Sequence, residues 1–571
     1  MATTTMQVSN AGTGKTEADW AAKAAVKRDS VLRKIPMEWL LTSDIIQTVS
    51  ETSTQNVLDL PRTCGILTQK EIDITERYDA TDLIEKLALA GLTSEEVTVA
   101  FCKRAAIAQQ LEREISSFTP LLLLLTVLQT HCLTEILFDE AIAQAKEYDA
   151  YLASHGRPNG AFHGLPISVK ESFSIKGVDT TLGFVSWISN PPKSDNAALV
   201  EILLREGAVL YCKTNIPTTM MTADSENNIF LRTLNPYNLS LTAGGSSGGE
   251  GSLVAQRGSI LGIGTDIAGS VRIPAAMNGV YGFKPTACRI PYGGQSGAGR
   301  PGMFGILPAA GPLAHSVRDL KLLTRTVLNN NPWELDETAM AVPYRDLPVK
   351  SSPLRLGIIT EDNKRPLHPT IMRALMDAQK KLEKAGHSLV PLDSLLPETL
   401  YSVTRLAWRY FGLDVSKTAM KHIQASGEPV IKSLSTTSFP DMKDQVLTLN
   451  DVFGMNVQRR SLQAKYRKIM AENGLDAILM PSYQSPAPKH DTYGFPVYTL
   501  LANVLDWPAG VIPYMKGDFS SDKEFVRNVH YEPPYVPENV KDVPGSLQLM
   551  GKPFCDEELM EIMAVVDKIL A

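Results

Sequence analysis

The chain has 571 residues, of which 44% are hydrophobic and 21% are charged, and these proportions are those of an ordinary globular protein. They exclude a wholly disordered, collagen-like or fibrous chain. The net charge of −6 comes without a long block of either sign, and a nucleic-acid-binding protein would be expected to show a basic stripe. The sequence therefore predicts no nucleic-acid partner.

The cysteines and the apolar stretches indicate the compartment. Six cysteines lie far apart without a CxxC pair, a spacing that suits neither a zinc site nor a disulfide framework. Residues 1–20 lack the apolar region of a signal peptide, and the most hydrophobic stretch, residues 118–128, is shorter than the roughly 20 residues of a spanning helix. We therefore expect a soluble cytoplasmic protein with reduced thiols and no stable membrane insertion.

The sequence predicts an N-terminal arm, followed by a main body that begins with helices. Residues 1–80 are polar, and a helix-like piece at 20–35 alternates with Ser/Thr-rich stretches. We interpret them as a helical arm on the outside of a catalytic body formed by residues 81–571. A clear helix begins at Thr93, because Thr93 and Glu96 have the spacing of a capping box.

Further along, short β-like runs alternate with helices. The predicted strands are residues 165–169, 208–212, 355–360 and 476–480. The predicted helices are residues 197–205 and 371–385, which end at Gly207 and Gly386 as helix C-caps commonly do. This alternation favours an α/β fold around a central and largely buried sheet.

Residues 244–311 are rich in glycine and serine and poor in charge. Nine of the 27 residues from 244 to 270 are glycine, yet isoleucine, leucine and valine are interspersed among them, which indicates a buried core rich in close backbone contacts. A phosphate-binding loop would need a lysine after its glycines. Glu250 and Gly251 stand there instead, and a carboxylate would repel phosphate. We therefore expect this segment to carry hydroxyl chemistry.

A serine nucleophile requires a base, and the sequence points to lysine for that role. No histidine lies in or near the Gly/Ser-rich core, and no G-x-S-x-G turn joins a strand to a helix. Lys170 ends an apolar strand, so burial could make it neutral at working pH. Serine–lysine variants of the catalytic triad are a known solution.

Five segments resemble the amidase signature family. They are LPISVKESF (165–173), TNIPTTM (214–220), AGGSSGGEGSLVA (243–255), GTDIAGSVRIPAAMNGVYGFKPT (264–286) and SLQLMGKPF (546–554). The resemblance covers roughly residues 80–571. It implies the amidase signature fold, a twisted mixed β-sheet covered on both sides by helices.

The resemblance also implies a Ser–cisSer–Lys triad. By motif position Ser270 is the nucleophile, Ser246 the bridging serine that follows a cis peptide bond with Gly245, and Lys170 the base. The implied oxyanion hole consists of backbone N–H groups, those of Ile267, Ala268, Gly269 and Ser270. No metal and no organic cofactor is implied.

Four further residues have two interpretations each. The backbone of Met220 either contacts the substrate or its side chain fills core space. Ser247 is a hydrogen-bond partner of the triad or a small residue in a tight loop. Asp266 and Arg272, on either side of the nucleophile, form a structural ion pair or take a direct part in catalysis.

The chain looks most like the fungal acetamidases, which implies small aliphatic amides as substrates. Carbamate esters and aryl amides fit the same site, and fatty-acid amides are the substrates of membrane-bound relatives. The A subunit of a tRNA-dependent amidotransferase and a binding protein without activity are the alternatives of another class. Plausible pocket walls are aromatic residues, namely Trp187, Tyr237, Tyr292 and Phe304.

Two matters stay open at this stage. The sequence does not determine the oligomeric state, and a homo-oligomer is one of the alternatives. Residues 112–131, with five consecutive leucines, have no counterpart in the resemblance. They are either a hydrophobic surface hairpin, which could touch a membrane, or non-homologous sequence such as a translated intron.

Overall fold

The computed structural model describes residues 17–42, 52–110, 130–348, 350, 353–437, 439–442 and 445–571. All but the last two residues of the segment 112–131 lie outside the described residues. The described chain resumes beside the helix that precedes the segment, because the side-chain hydroxyl of Thr130 donates a hydrogen bond of 2.7 Å to the carbonyl oxygen of Ala108.

A central sheet of 11 strands organises the fold, and a separate pair of two-residue strands lies outside it. In chain order the strands are β1 (Leu133–Ile136), β2 (Pro166–Lys170), β3 (Val209–Thr214), β4 (Glu226–Asn227), β5 (Leu231–Arg232), β6 (Leu261–Asp266), β7 (Tyr281–Lys284), β8 (Ala309–Ala314), β9 (Arg355–Ile358), β10 (Ser388–Pro391), β11 (Ala477–Pro481), β12 (Ala509–Lys516) and β13 (Pro544–Met550).

The sheet is mixed, and its strands follow the order β1-β3-β2-β6-β8-β7-β12-β13-β11-β9-β10. Strand β2 is parallel to both of its neighbours, β3 and β6, so the carboxyl ends of these three strands meet at one edge. Strand β13 comes from the C-terminal part of the chain and pairs antiparallel with β11 and β12.

Helices pack around the sheet. In chain order the described α-helices are α1 (Glu17–Leu32), α2 (Leu60–Thr63), α3 (Gln69–Arg77), α4 (Ala80–Ala88), α5 (Ser94–Gln109), α6 (Phe138–His155), α7 (Ala198–Arg205), α8 (Gly248–Ala255), α9 (Arg272–Asn278), α10 (Val317–Asn329), α11 (Pro369–Lys384), α12 (Leu400–Phe411), α13 (Thr418–Ser426), α14 (Lys432–Thr436), α15 (Leu449–Glu472), α16 (Leu500–Leu505), α17 (Phe519–Asp522), α18 (Pro537–Val540) and α19 (Asp556–Leu570).

The predicted α/β class is confirmed, and the elements predicted from local pattern lie within a few residues of the observed ones. Thr93 caps α5 through the reciprocal capping box with Glu96. Gly386 follows the end of α11 with a φ of +90°, a left-handed conformation that glycine adopts without steric cost. The Gly/Ser-rich segment is a buried core in its first part, since α8 and β6 lie within it and are almost wholly buried, but residues 299–304 are exposed.

The N-terminal helix α1 is attached to the sheet by buried charges. The ammonium group of Lys27 lies 2.6 Å from a carboxylate oxygen of Glu135 on β1 and 2.7 Å from one of Asp179. Lys27 is only 9% exposed. Helix α1 therefore contributes a buried charge to the body, and an outer arm with a boundary at residue 80 stays a prediction.

No helix in the described part of the chain combines the length and the apolar character that crossing a bilayer requires.

Candidate active site

The edge where β2, β3 and β6 end carries the predicted catalytic residues. Lys170 is the last residue of β2, and Ser270 lies in the loop that joins β6 to α9. Ser246 lies in the loop immediately before α8. Because β2 and β6 run parallel, with Val169 opposite Ile263, their following residues come together at one place. The sheet thus assembles residues from three separate sequence segments.

Lys170 is fully buried and surrounded by hydroxyl groups. Its Nζ donates hydrogen bonds of 2.7 Å to the Oγ of Ser246 and 2.8 Å to the Oγ1 of Thr265. Burial lowers the pKa of Lys170 to about 7, although the carboxylates of Asp266 and Glu250 act in the opposite direction. A lysine with this pKa is partly neutral near pH 7 and can accept a proton. Thr265 was not predicted, because no local pattern distinguishes it.

The loop before α8 brings Ser246 close to the loop of Ser270. The peptide bond between Gly245 and Ser246 is cis, as the resemblance implied. The backbone N–H of Ser247 donates to the carbonyl oxygen of Ser270 at 3.3 Å, and its Oγ accepts from the N–H of Thr265 at 3.3 Å. A side chain at Gly245 would collide with the backbone, since a Cβ there would lie 2.6 Å from the carbonyl oxygen of Thr222.

A buried ion pair shapes the loop that carries Ser270. The Nε of Arg272 donates to the Oδ2 of Asp266 at 3.0 Å, and both side chains are inaccessible to solvent. Burial alone would raise the pKa of Asp266, but Arg272 lowers it to about 2, so the carboxylate is charged. Its oxygens also accept hydrogen bonds from the backbone N–H groups of Gly269, at 2.8 Å, and Val271, at 3.3 Å.

These contacts divide the N–H groups expected in the oxyanion hole. The N–H of Gly269 donates to Asp266 and is therefore committed to the loop itself. Within the described part of the chain, the N–H groups of Ile267, Ala268 and Ser270 have no acceptor. The expected set of four donors is thus reduced to three. Sequence could not reveal this difference, because it depends on the direction of backbone groups.

Ser270 opens into a pocket with about 340 Å³ of empty space, which includes its mouth. Met220 belongs to the wall, and its φ of +57° places it in the left-handed region. Among the described residues the hydroxyl of Ser270 has no hydrogen-bond partner, and it is not bonded to Ser246 either. The pocket is lined by Met220, Met221, Thr222, Ala223, Gly245, Ile267, Ala268, Ser270, Ile273, Trp408, Thr437, Gly494 and Pro496.

The aromatic walls predicted from the sequence are wrong. The aromatic residue in the wall is Trp408 of α12, whose Nε1 donates to the carbonyl oxygen of Thr437 at 3.0 Å. Phe304 is 83% exposed. The ring of Tyr237 lies outside the pocket, with the ammonium group of Lys516 5.4 Å from its centroid. Neither Trp187 nor Tyr292 is part of the wall. Trp408 was missed because α12 lies far along the chain from every recognised motif.

The chemistry available here is that of hydroxyls, one buried amine and backbone N–H groups. In the described residues no three histidine, cysteine or carboxylate side chains come together in a way that could hold a metal ion. A proton can pass between Ser246 and Lys170 over 2.7 Å, and the free N–H groups can stabilise negative charge at the pocket floor.

Comparison with known proteins agrees with this geometry. A family model described as Amidase matches residues 126–560. The chain is 37% identical to an amidase of Gibberella moniliformis, over 97% of this chain and 100% of the relative. It is 35% identical to an acetamidase of Emericella nidulans, over 96% of this chain and 98% of the relative.

A solved structure described as fatty acid amide hydrolase is similar over nearly the whole fold. Its TM-score is 0.86 with 31% sequence identity, and the match covers 97% of this chain and 95% of that chain. Together these findings define the class of protein as an amide hydrolase. The chain belongs to the amidase signature family.

Proposed function

We propose that the protein hydrolyses small aliphatic amides to a carboxylic acid and ammonia, with Ser270 as nucleophile, Ser246 as proton relay and Lys170 as base. The observation that carries the proposal is the buried Nζ of Lys170, hydrogen-bonded to Ser246 at 2.7 Å beside the pocket into which Ser270 opens. A buried amine with a lowered pKa is suited to general-base catalysis at neutral pH.

The first half of the reaction forms an acyl-enzyme. The hydroxyl of Ser270 turns towards Ser246 and gives up its proton, while Ser246 passes its own proton to neutral Lys170. The Oγ of Ser270 attacks the carbonyl carbon, and the oxyanion accepts hydrogen bonds from the free N–H groups of the loop. Ser246 then donates a proton to the amide nitrogen, so that the C–N bond breaks and ammonia leaves. Lys170 returns its proton to Ser246.

The second half returns the enzyme to its starting state. Water attacks the ester carbonyl of the acyl-enzyme, and its proton passes through Ser246 towards Lys170. The bond between the acyl carbon and the Oγ of Ser270 breaks, and Ser270 regains a proton by the same route. Atoms and protons balance over the cycle, in which water is the only co-reactant.

The size of the pocket supports small substrates. Its walls are the side chains of Trp408, Ile273 and two methionines, which leave little free space beside Ser270 and favour a short acyl group. Relatives described as acetamidases support the same substrate class. Small carbamate esters have a similar planar C–N bond and size, and we expect slower hydrolysis of these compounds.

A substrate panel tests the proposal. The purified chain is assayed for ammonia release from acetamide, propionamide, hexanamide, benzamide, ethyl carbamate and octadecanamide, with Ser270→Ala as the inactive control. We expect turnover of the short amides by the single chain and a sharp fall beyond about ten carbons, where the wall excludes the substrate. Faster turnover of octadecanamide than of acetamide would instead favour the activity named for the fatty acid amide hydrolase structure.

The same assay separates hydrolysis from ammonia transfer to a partner subunit. An amidotransferase A subunit alone would release little ammonia from acetamide. We also propose a cytoplasmic location, since all six cysteines are free thiols and fit a reducing compartment.

A further inference from the structure

A separate segment, residues 222–225, packs tightly against the loop that carries Ser246. A Cβ at Gly245 would lie 2.6 Å from a backbone carbonyl oxygen of this segment, and a Cβ at Gly248 would lie 2.4 Å from the Oγ of Ser225. Ser225 has no solvent exposure and, within the described chain, does not belong to the pocket wall. The proposed mechanism gives this buried hydroxyl no part, so its close fit to the loop requires an explanation.

The hydroxyl of Ser225 spans the loop. Its Oγ donates a hydrogen bond of 3.0 Å to the carbonyl oxygen of Gly244 and accepts one of 3.0 Å from the backbone N–H of Gly248. These two glycines lie two residues before and two residues after Ser246. A single hydroxyl therefore joins the two ends of the loop.

The contact with Gly248 also provides a helix cap. Gly248 is the first residue of α8, and the first N–H groups of a helix have no acceptor within the helix itself. Ser247 stands at the N-cap position, but its side chain caps none of the N–H groups of this described helix. Ser225, which lies 23 residues earlier in the chain, supplies the acceptor instead. A buried N–H without a partner would cost free energy, so the start of α8 depends on this hydroxyl.

Thr242 holds the first residue of the same loop. The N–H of Gly244 donates to the Oγ1 of Thr242 at 2.9 Å, so both polar backbone groups of Gly244 are bound by side-chain hydroxyls. The Oγ1 of Thr242 donates in turn to the Oδ1 of Asp224 at 2.8 Å. Burial alone would raise the pKa of Asp224, but His490 and Arg232 lower it to about 2, so the group is a charged acceptor.

The hairpin of β4 and β5 fixes the position of Ser225. The carbonyl oxygen of Ser225 accepts a hydrogen bond of 2.8 Å from the N–H of Thr233, and Glu226 on β4 pairs with Arg232 on β5. The side chains of Glu226 and Arg232 also form an ion pair of 2.7 Å. The pair of strands outside the central sheet therefore holds the residue that spans the loop.

We propose that Ser225 is a positioning residue for Ser246, with Thr242 as its counterpart at the first residue of the loop. The inference rests on the proposed role of Ser246 as proton relay. The Oγ of Ser246 must stay within hydrogen-bond reach of Lys170, at 2.7 Å, and of the substrate nitrogen, and proton transfer tolerates little displacement. Ser225 acts only through the loop.

The test compares an amide with an activated ester in Ser225→Ala. An amide nitrogen must gain a proton from Ser246 before it leaves, whereas p-nitrophenolate leaves without one. We expect kcat/KM for acetamide to fall about 100-fold, through kcat and not through KM, because the relay is displaced while the pocket is intact. The value of kcat/KM for p-nitrophenyl acetate should fall much less.

Ser252→Ala is the matched control. Ser252 is also a fully buried serine, and its hydroxyl also donates a hydrogen bond of 3.0 Å to a carbonyl oxygen, that of Leu234. It lies on α8 outside the loop of Ser246, so the ratio of amide to ester activity should be that of the wild type.

An unchanged ratio in Ser225→Ala, with folding verified by circular dichroism, overturns the proposal, and so does an equal change of the ratio in Ser252→Ala. If Ser225→Ala does not fold, Thr242→Val provides the test, because it removes the acceptor of the Gly244 N–H at nearly constant size. The ratio should fall in this variant too, and an unchanged ratio overturns the proposal.

A second readout separates this proposal from the proposed function. The labelling of Ser270 by a fluorophosphonate requires no amide turnover, but it uses the proton relay during attack. We expect slower labelling in Ser225→Ala than in wild type and in Ser252→Ala. Normal labelling of the wild type without amide turnover would refute the substrate assignment alone. Equal labelling rates in wild type and Ser225→Ala would refute the role of Ser225.

Discussion

Substitution of Trp408 by alanine should change the chain-length preference of the enzyme. The indole is held in the pocket wall by the hydrogen bond of its Nε1 to Thr437, and its ring meets Phe495 edge-on at 5.0 Å. Removal of the ring lengthens the pocket next to Ser270. Each methylene that the pocket then accepts contributes about 0.8 kcal/mol, or roughly a fourfold gain in kcat/KM.

Hexanamide has four more methylene groups than acetamide. Suppose that the wild-type pocket accepts none of these methylenes and the enlarged pocket buries all four. The gain of up to about 3 kcal/mol then raises the ratio of kcat/KM for hexanamide to that for acetamide by up to about 200-fold. The ratio should also rise measurably if the wild-type pocket already accepts some of them. Trp408→Phe, which keeps a ring, should change the ratio much less.

Ammonia release from the two amides is measured under first-order conditions, with circular dichroism to verify folding. Trp187→Ala is the control, because Trp187 also donates its indole N–H to a neighbour, His422 at 3.2 Å, but stands outside the pocket wall. A ratio that is the same in Trp408→Ala and wild type would refute the assignment of this wall. An equal change in Trp187→Ala would do so too.

Four other predictions follow from the site and the fold. A fluorophosphonate should add one label to Ser270, and labelling that survives Ser270→Ala would reverse the assigned roles. Because Lys170 works when deprotonated and its pKa is about 7, kcat/KM should rise with pH to a plateau above about pH 8 and lie roughly tenfold below that plateau at about pH 6. Lys170→Ala should lose several orders of magnitude of kcat/KM with an unchanged circular dichroism spectrum. Arg272→Met leaves the Asp266 carboxylate buried without its partner, which should lower the free energy of unfolding in urea by about 3–5 kcal/mol, and a loss below about 1 kcal/mol would contradict a structural ion pair. Deletion of residues 112–130 should leave a folded and soluble enzyme if the segment is non-homologous sequence, and loss of folding on deletion would contradict that interpretation.

The parts of the fold that local pattern controls could be predicted from the sequence. The strand that ends at Lys170 is a short apolar run, and the helix after Thr93 begins with a capping box, so each is specified by a few neighbouring residues. The resemblance supplied the positions of Ser246 and Ser270, which lie in segments of distinctive composition. These features require no knowledge of how distant parts of the chain pack.

The walls of the pocket could not be predicted for the opposite reason. Trp408 and Thr437 line the pocket because α12 and the segment after α14 pack beside it, and no spacing in the sequence records this contact. The direction of the Gly269 N–H depends in the same way on the Asp266 carboxylate. Specificity and backbone geometry are thus consequences of long-range packing.

The attachment of α1 through Lys27 has a consequence for truncated forms of the protein. Loss of the helix would remove the ammonium group that lies between Glu135 and Asp179. Glu135 also interacts with Glu171, the residue after Lys170, and Glu171 has Lys213 as its ion partner at 3.2 Å. Proteolysis between residues 27 and 32 would therefore leave an excess negative charge close to the catalytic strand, and a cleaved enzyme that has lost Lys27 should regain stability as the medium becomes more acidic.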